Sequence, residues 1–252
     1  MRICFIIGHG KGKSGGYDPG AVNGKYEEFQ IAKEIGKYAC DYFNANYADT
    51  ADLMNYNGDL YLTERINLAN KQKYDFVAEI HLNAGGGTGT EVFHAKNSSR
   101  GKAIAAAISQ KISSTFGIRN RGAKTKTGTN GDYFGIIRQT NMEAVLIETA
   151  FIDTSDLNKL KTAAGQKACG IAIAQATAEA LKAKVEPAHR YFNKCDSKHT
   201  SIVDALGSLG INSAYSYRKQ IATANNIKGY LGTPNQNTKM LNLLKQGKLI
   251  KP

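Results

Sequence analysis

Residues 1–184 predict an α/β domain, and residues 200–252 predict a small, mainly helical one. Three observations carry this reading. Short apolar runs alternate with stretches of helical period up to residue 184. The texture then changes: 185–199, "VEPAHRYFNKCDSKH", holds proline and charges and reads as a linker. The charge excess is concentrated beyond it, with ten Lys or Arg against two Asp or Glu in 190–252, a net +8 of the chain's +12.

Ile3 to Ile7 is a continuous apolar run ending at Gly8-His9-Gly10, which reads as a buried strand. Residues 26–44 carry Phe29, Ile31, Ile35, Tyr38, Ala39, Tyr42 and Phe43 at helical spacing. A second helix is predicted over 62–72, with Thr63 as a cap candidate and Ile66, Leu68 and Ala69 facing inward. Strands follow at Phe76–Leu82 and over 89–95, then a helix over 101–117 that stops at a glycine. "AVLIETAFI" (144–152) reads as a buried strand interrupted by Glu148, and 163–184 as an alanine-rich helix. In the tail, helices are predicted over 201–209, 216–225 and 238–246. Each has Ser or Thr near its start, and the last ends at Gly247.

A basic surface suits an anionic partner: nucleic acid, acidic lipid or a wall polymer. No segment approaches the ~20 apolar residues of a membrane span. The first apolar run is too short for a signal peptide, so the expectation is synthesis in the cytoplasm and action after release. Four cysteines, none in a CxxC pair, read as reduced thiols, with Cys4 buried and Cys195 exposed.

In α/β sheets, sites form in the crevice at the carboxyl ends of strands. His9 and His81 each stand at a strand end just before glycines, where two imidazoles can share a metal. Catalytic zinc takes three protein ligands and keeps one open position. Glu27 and Glu28 open the first helix and are candidates for the third. Glu28 lies three and seven residues before Ile31 and Ile35 and shares their inward face, while Glu27 points in a more polar direction. Both acids also complement a helix amino terminus, which is their plainer use. Glu148 is costly in an apolar run unless it is paired in a salt bridge or used chemically. Desolvation would raise its pKa and suit it to general acid–base work.

Together these residues resemble the zinc-dependent N-acetylmuramoyl-L-alanine amidases of the amidase 3 type, the peptidoglycan hydrolases of bacterial cell walls and phage endolysins. The matching stretches are "GHG…DPGA", "EEFQIAKEI", "EIHLNAG", "NRGAK" and "AVLIETAFI", in the family's order from residue 1 to about 182. The resemblance implies a twisted, mostly parallel sheet of about six strands flanked by helices. It implies one Zn²⁺ held by His9, Glu28 and His81, with Glu148 as the catalytic carboxylate. Asn83 and Arg121 match positions that would support or face the substrate. The implied reaction cuts the amide between muramic acid and L-alanine with a zinc-activated water. Two departures stand out: "KGKSGGY" lengthens the spacer before "DPGA", and Glu143 replaces the usual proline before "AVLIE".

The 200–252 tail resembles the small C-terminal modules of Gram-positive wall hydrolases, notably in "SLGINSAYSYRKQIATANNI" and "LKQGKLIKP". That implies docking to peptidoglycan and anionic wall polymers, with Tyr215, Tyr217 and Tyr230 available to stack on sugars. DNA binding is the competing use of the charge, but no helix has a dense basic face. Two other readings are a zinc peptidase cutting within the stem peptide and a non-catalytic wall- or DNA-binding protein.

Overall fold

The computed structural model describes residues 1–185 and 191–252. They form two compact units, Met1–Lys184 and Val185–Pro252.

The first unit is an α/β domain around one six-stranded sheet. Its strands are β1 (Arg2–Ile7), β2 (Thr50–Met54), β3 (Phe76–Asn83), β4 (Thr90–His94), β5 (Asn120–Lys124) and β6 (Glu143–Phe151). The order across the sheet is β2-β1-β3-β6-β4-β5, parallel throughout except for the antiparallel β6–β4 pair. This is the predicted fold class. Edge strands β2 and β5 were not anticipated as strands, because the period-2 signal needs burial that an edge strand lacks.

The alternation of side chains along a strand divides the core into two layers. On one face, Ile3, Phe5 and Ile7 of β1 and Phe76, Ala78 and Ile80 of β3 pack in one layer with three helices. These are α1 (Glu28–Asn46), α3 (Ser99–Phe116) and α6 (Ala163–Leu181). On the other face, Cys4, Ile6, Val77 and Leu146 pack with α2 (Leu62–Gln72) and the short α4 (Gly135–Gln139). A one-turn helix, α5 (Leu157–Leu160), precedes α6. Local chemistry sets the ends. Ser98 and Thr162 cap α3 and α6 by accepting the backbone N–H of Gly101 and Gly165, and Gly117 closes α3 in the left-handed region.

The second unit packs α7 (Ile202–Ser208), α8 (Tyr215–Ala224) and α9 (Pro234–Gln246) around Leu206, Ile221, Met240 and Leu244. α9 begins four residues earlier than predicted. Pro234 sits in its first turn, and Thr233 and Gln236 form a capping box. The stretch expected to be a linker over 185–199 supplies two residues to this core, Phe192 and Cys195. Its residues 186–190 lie outside the described residues. Cys195 is therefore buried rather than exposed, as are Cys4, Cys40 and Cys169, and all four are free thiols. No helix among the described residues is long and apolar enough to cross a membrane.

Candidate metal centre

Three adjacent central strands deliver the candidate residues to one point. His9 follows the carboxyl end of β1. His81 lies near the end of β3, and Glu148 is its direct neighbour in register on β6. The N–H of Gly8 donates to the carbonyl of Ile80 at 3.1 Å, extending the β1–β3 ladder to the residue before His9. Glu28 arrives as the first residue of α1.

The turn carrying His9 is constrained from both sides. His9 adopts φ +61°, a left-handed conformation uncommon outside glycine. Asn55 holds it there: its amide donates to the carbonyls of Ile7 and His9, each at 2.8 Å, and its Oδ1 accepts from the N–H of Leu60. Two glycines are required by close approach. A Cβ on Gly8 would stand 2.2 Å from the His81 ring, and one on Gly20 would stand 2.6 Å from Glu28 Oε2.

Glu28 is the hub. Its Oε1 lies 3.2 Å from His9 Nε2 and 2.9 Å from His81 Nδ1, and also accepts the N–H of Leu82 at 3.0 Å. Its Oε2 accepts the N–H of Ala21 at 2.8 Å. Glu27 points elsewhere and accepts a hydrogen bond from the Tyr17 hydroxyl. The two rings meet edge to face with centroids 4.9 Å apart. On its far side, His9 Nδ1 faces Asp18 Oδ2 at 2.9 Å. His81 Nε2 is buried and makes no hydrogen bond of good geometry, with Glu79 Oε2 at 3.4 Å.

The electrostatics favour positive charge at this point. Burial alone would raise the Glu28 carboxyl, but His81 and His9 hold it well below the usual carboxylate range. Burial alone would lower the pKa of each imidazole, yet Glu28 raises both, with Glu79 adding to the effect at His81. A pocket that raises the pKa of two partly buried imidazoles is one that favours positive charge. Glu148 behaves oppositely. Burial pushes its carboxyl up to about 7, with His81 opposing and Glu28 and Glu91 reinforcing. Its Oε2 is buried and has no hydrogen-bond partner among the described residues.

His9, Glu28 and His81 present one donor atom each, all within 4.8 Å of one another. The set fits zinc in kind, being two imidazoles and a carboxylate, the mixture catalytic zinc takes. It also fits in spacing, since tetrahedral ligands at about 2.0–2.1 Å stand roughly 3.4 Å apart.

The cluster opens into a cleft of about 420 Å³, whose lining also includes Tyr61, Leu62, Asn83 and Phe134. Asn83 donates to Glu91 Oε1 at 2.8 Å. Arg121 does not line the cleft. Its Nε donates to the other oxygen of Glu91 at 2.7 Å, and its guanidinium lies over the Phe151 ring. The structure thus brings together His9, Glu28, His81, Glu148 and Asn83, and sets Arg121 behind them.

Sequence reasoning missed Asp18, Asn55 and the buried Arg65–Glu79 pair. Asp18 ends a two-residue strand, Tyr17–Asp18, and Asn55 lies in the bend after β2, both too short to carry a periodicity. Glu79 did carry a signal: it interrupts an apolar strand as Glu148 does.

An α/β sheet that gathers three metal-capable donors beside one unpaired acid, at its strand ends, defines a class: α/β domains with a candidate metal centre. The chain belongs to the N-acetylmuramoyl-L-alanine amidase family, Amidase_3, whose model matches residues 3–179. It is 32% identical over 166 residues to the sporulation-specific N-acetylmuramoyl-L-alanine amidase of Bacillus subtilis (strain 168), covering 64% of this chain and 61% of that relative. It is 32% identical over 151 residues to an endolysin of Bacillus phage SPP1, covering 56% and 53%. Among solved structures, the catalytic domain of CwlV, an N-acetylmuramoyl-L-alanine amidase from Bacillus (Paenibacillus) polymyxa var. colistinus, superposes with TM-score 0.62 at 25% identity. That match covers 73% of this chain and all of the CwlV domain. The chain thus spans less than two thirds of the length of these curated relatives.

Proposed function

We propose that the chain is a peptidoglycan amidase that cuts the bond between the lactyl group of N-acetylmuramic acid and the amino group of L-alanine. The observation that carries this is the His9–Glu28–His81 cluster with unpartnered Glu148 beside it, in a chain of this family. His9, Glu28 and His81 would hold one zinc ion. When bound, zinc polarises the amide carbonyl and acidifies a water molecule.

The chain's own residues do the rest. Asp18 accepts the Nδ1–H of His9 and leaves Nε2 as the donor atom. Glu148 takes a proton on its carboxylate from the attacking water and delivers it to the leaving nitrogen. No hydrogen bond has to be broken first at its Oε2. Asn83 faces the substrate from the cleft wall, and Arg121 supports it through their shared partner Glu91.

The second unit, whose Lys and Arg outnumber its acids, would concentrate the enzyme on anionic wall polymers. Retention on purified sacculi that falls with salt and survives competing DNA supports this. Elution by DNA would assign the charge to nucleic acid.

The deciding experiment is digestion of purified peptidoglycan followed by mass spectrometry. The expected fragments are stem peptides with free L-alanine amino ends. New amino ends only within the stem would make the chain a peptidase, and free reducing sugars alone would exclude an amidase.

A further inference from the structure

We infer that the buried Arg65–Glu79 pair is a positioning device for His81: Glu79 takes the Nε2–H of the imidazole, which leaves Nδ1 as its metal-facing atom. The inference rests on the reading of His9, Glu28 and His81 as zinc ligands.

Glu79 and His81 lie two residues apart on β3 and so share one face of the sheet. Glu79 is only 2% exposed, and a carboxylate so buried needs compensation. Arg65 of α2 supplies part of it, its Nε donating to Glu79 Oε1 at 3.0 Å. A purely structural ion pair would need no more. Yet the second oxygen, Oε2, is directed at His81 Nε2, 3.4 Å away. Among the described residues that buried nitrogen makes no hydrogen bond of good geometry, so Glu79 Oε2 is the acceptor set to receive its proton, and the Gly8 backbone packs against the ring.

The other histidine of the cluster shows the same plan. His9 turns one nitrogen to Glu28 Oε1 and the other to Asp18. His81 turns one nitrogen to the same Glu28 oxygen and the other to Glu79. Each imidazole is thus set between the shared hub and a carboxylate of its own. Such partners fix the tautomer and ring orientation of a ligating histidine. Arg65 links the two halves, because its Nη1 also donates to the carbonyl of His9 at 3.2 Å and of Leu60 at 2.8 Å.

The test measures zinc affinity of the full chain by competition with a chelator, alongside the His81 ring resonances of the zinc-loaded protein. Three variants are compared. Glu79→Gln keeps an acceptor of the same shape. Glu79→Leu removes it. Arg65→Met with Glu79→Leu removes both charges, so no buried guanidinium is left unpaired and the fold is kept. Circular dichroism checks that each is folded. The expected loss of zinc affinity is about 10- to 100-fold in both leucine variants and smaller in Glu79→Gln. The His81 Nε2–H signal is expected to be protected from exchange in the parent and to exchange faster in the leucine variants. Zinc affinity within about twofold of the parent and an unchanged Nε2–H signal in the double variant would overturn the inference. His81→Ala separates the two readings. If it too keeps the parent's zinc affinity, the assignment of the zinc ligands itself fails.

Discussion

Glu79 and Glu148 sit on neighbouring strands, and each interrupts an otherwise apolar run, yet their environments are opposite. Glu79 has the guanidinium of Arg65 at 3.0 Å. Burial alone would raise its carboxyl, but His81 and Arg65 hold it below its ordinary value. Glu148 has an oxygen with no partner, and burial pushes its carboxyl up to about 7. An acid in an apolar strand therefore marks a place of interest without saying which kind. The partner decides. A paired acid holds neighbours in place, and an unpaired one is available to move a proton.

The contrast can be broken experimentally, most strongly at Glu148. Glu148→Gln should lower hydrolysis of purified peptidoglycan by about 10²- to 10⁴-fold, the range for loss of a general acid–base group, without loss of zinc. Near-parental activity with zinc bound would remove Glu148 from its role.

Stability should respond unequally at the two positions. Glu79→Leu alone leaves Arg65 buried without its carboxylate and should cost about 3–5 kcal/mol in urea unfolding. Glu148→Gln strands no partner and should cost far less. Equal losses would mean that the two acids are not distinguished by pairing.

A pH series sharpens the point. The folded pKa of Glu148, about 7, is raised above the ordinary value of 4.5. The folded metal-free protein therefore holds this proton more tightly than the unfolded chain does. The stability it contributes is fully present below pH 4.5 and is lost as pH rises through 7, a change on the order of 3 kcal/mol. Glu148→Gln should lack that slope, so the metal-free variant should exceed the parent in stability at pH 8. Hydrolysis by the loaded parent should run the other way and rise with pH, because the carboxylate is the working form. Parallel stability curves for parent and variant from pH 4 to 8 would contradict the raised pKa.

The smallest expected effect concerns the support of His9. Asp18→Asn should weaken zinc binding by about tenfold, at the lower end for a group behind a metal ligand. Asp18 is half exposed to solvent, whereas Glu79 is closed off from it. Chelator competition on Asp18→Asn and Glu79→Leu together ranks the two supports.

The sequence alone located His9, Glu28, His81 and Glu148 for separate local reasons: strand ends, helix phase and a polar break in an apolar run. It also located both layers of the first unit, because Ile3–Ile7 and Phe76–Leu82 are buried on both faces and leave a continuous apolar trace. It did not reveal β2 and β5, since edge strands at the margins of the sheet carry a weak pattern. It misjudged Cys195, because 185–199 is polar in composition while Phe192 and Cys195 still pack inward. The early start of α9 is legible in Thr233, Pro234 and Gln236, a capping signal that lies ahead of the apolar period.

What the sequence determined, then, is the central strands, the long helices and the short list of side chains placed to meet at the strand ends. Which of those side chains have partners was decided only by the tertiary structure. Asn55 reaches across 46 residues to the carbonyl of His9, and His81 across 53 to Glu28. The arrival of Arg65 beside Glu79, and of no hydrogen-bond partner among the described residues at Glu148 Oε2, depends on how α2 and three strands pack. Periodicity reports which face of an element is buried. It does not report what meets it there, and in a desolvated cleft that meeting sets the charge each group carries.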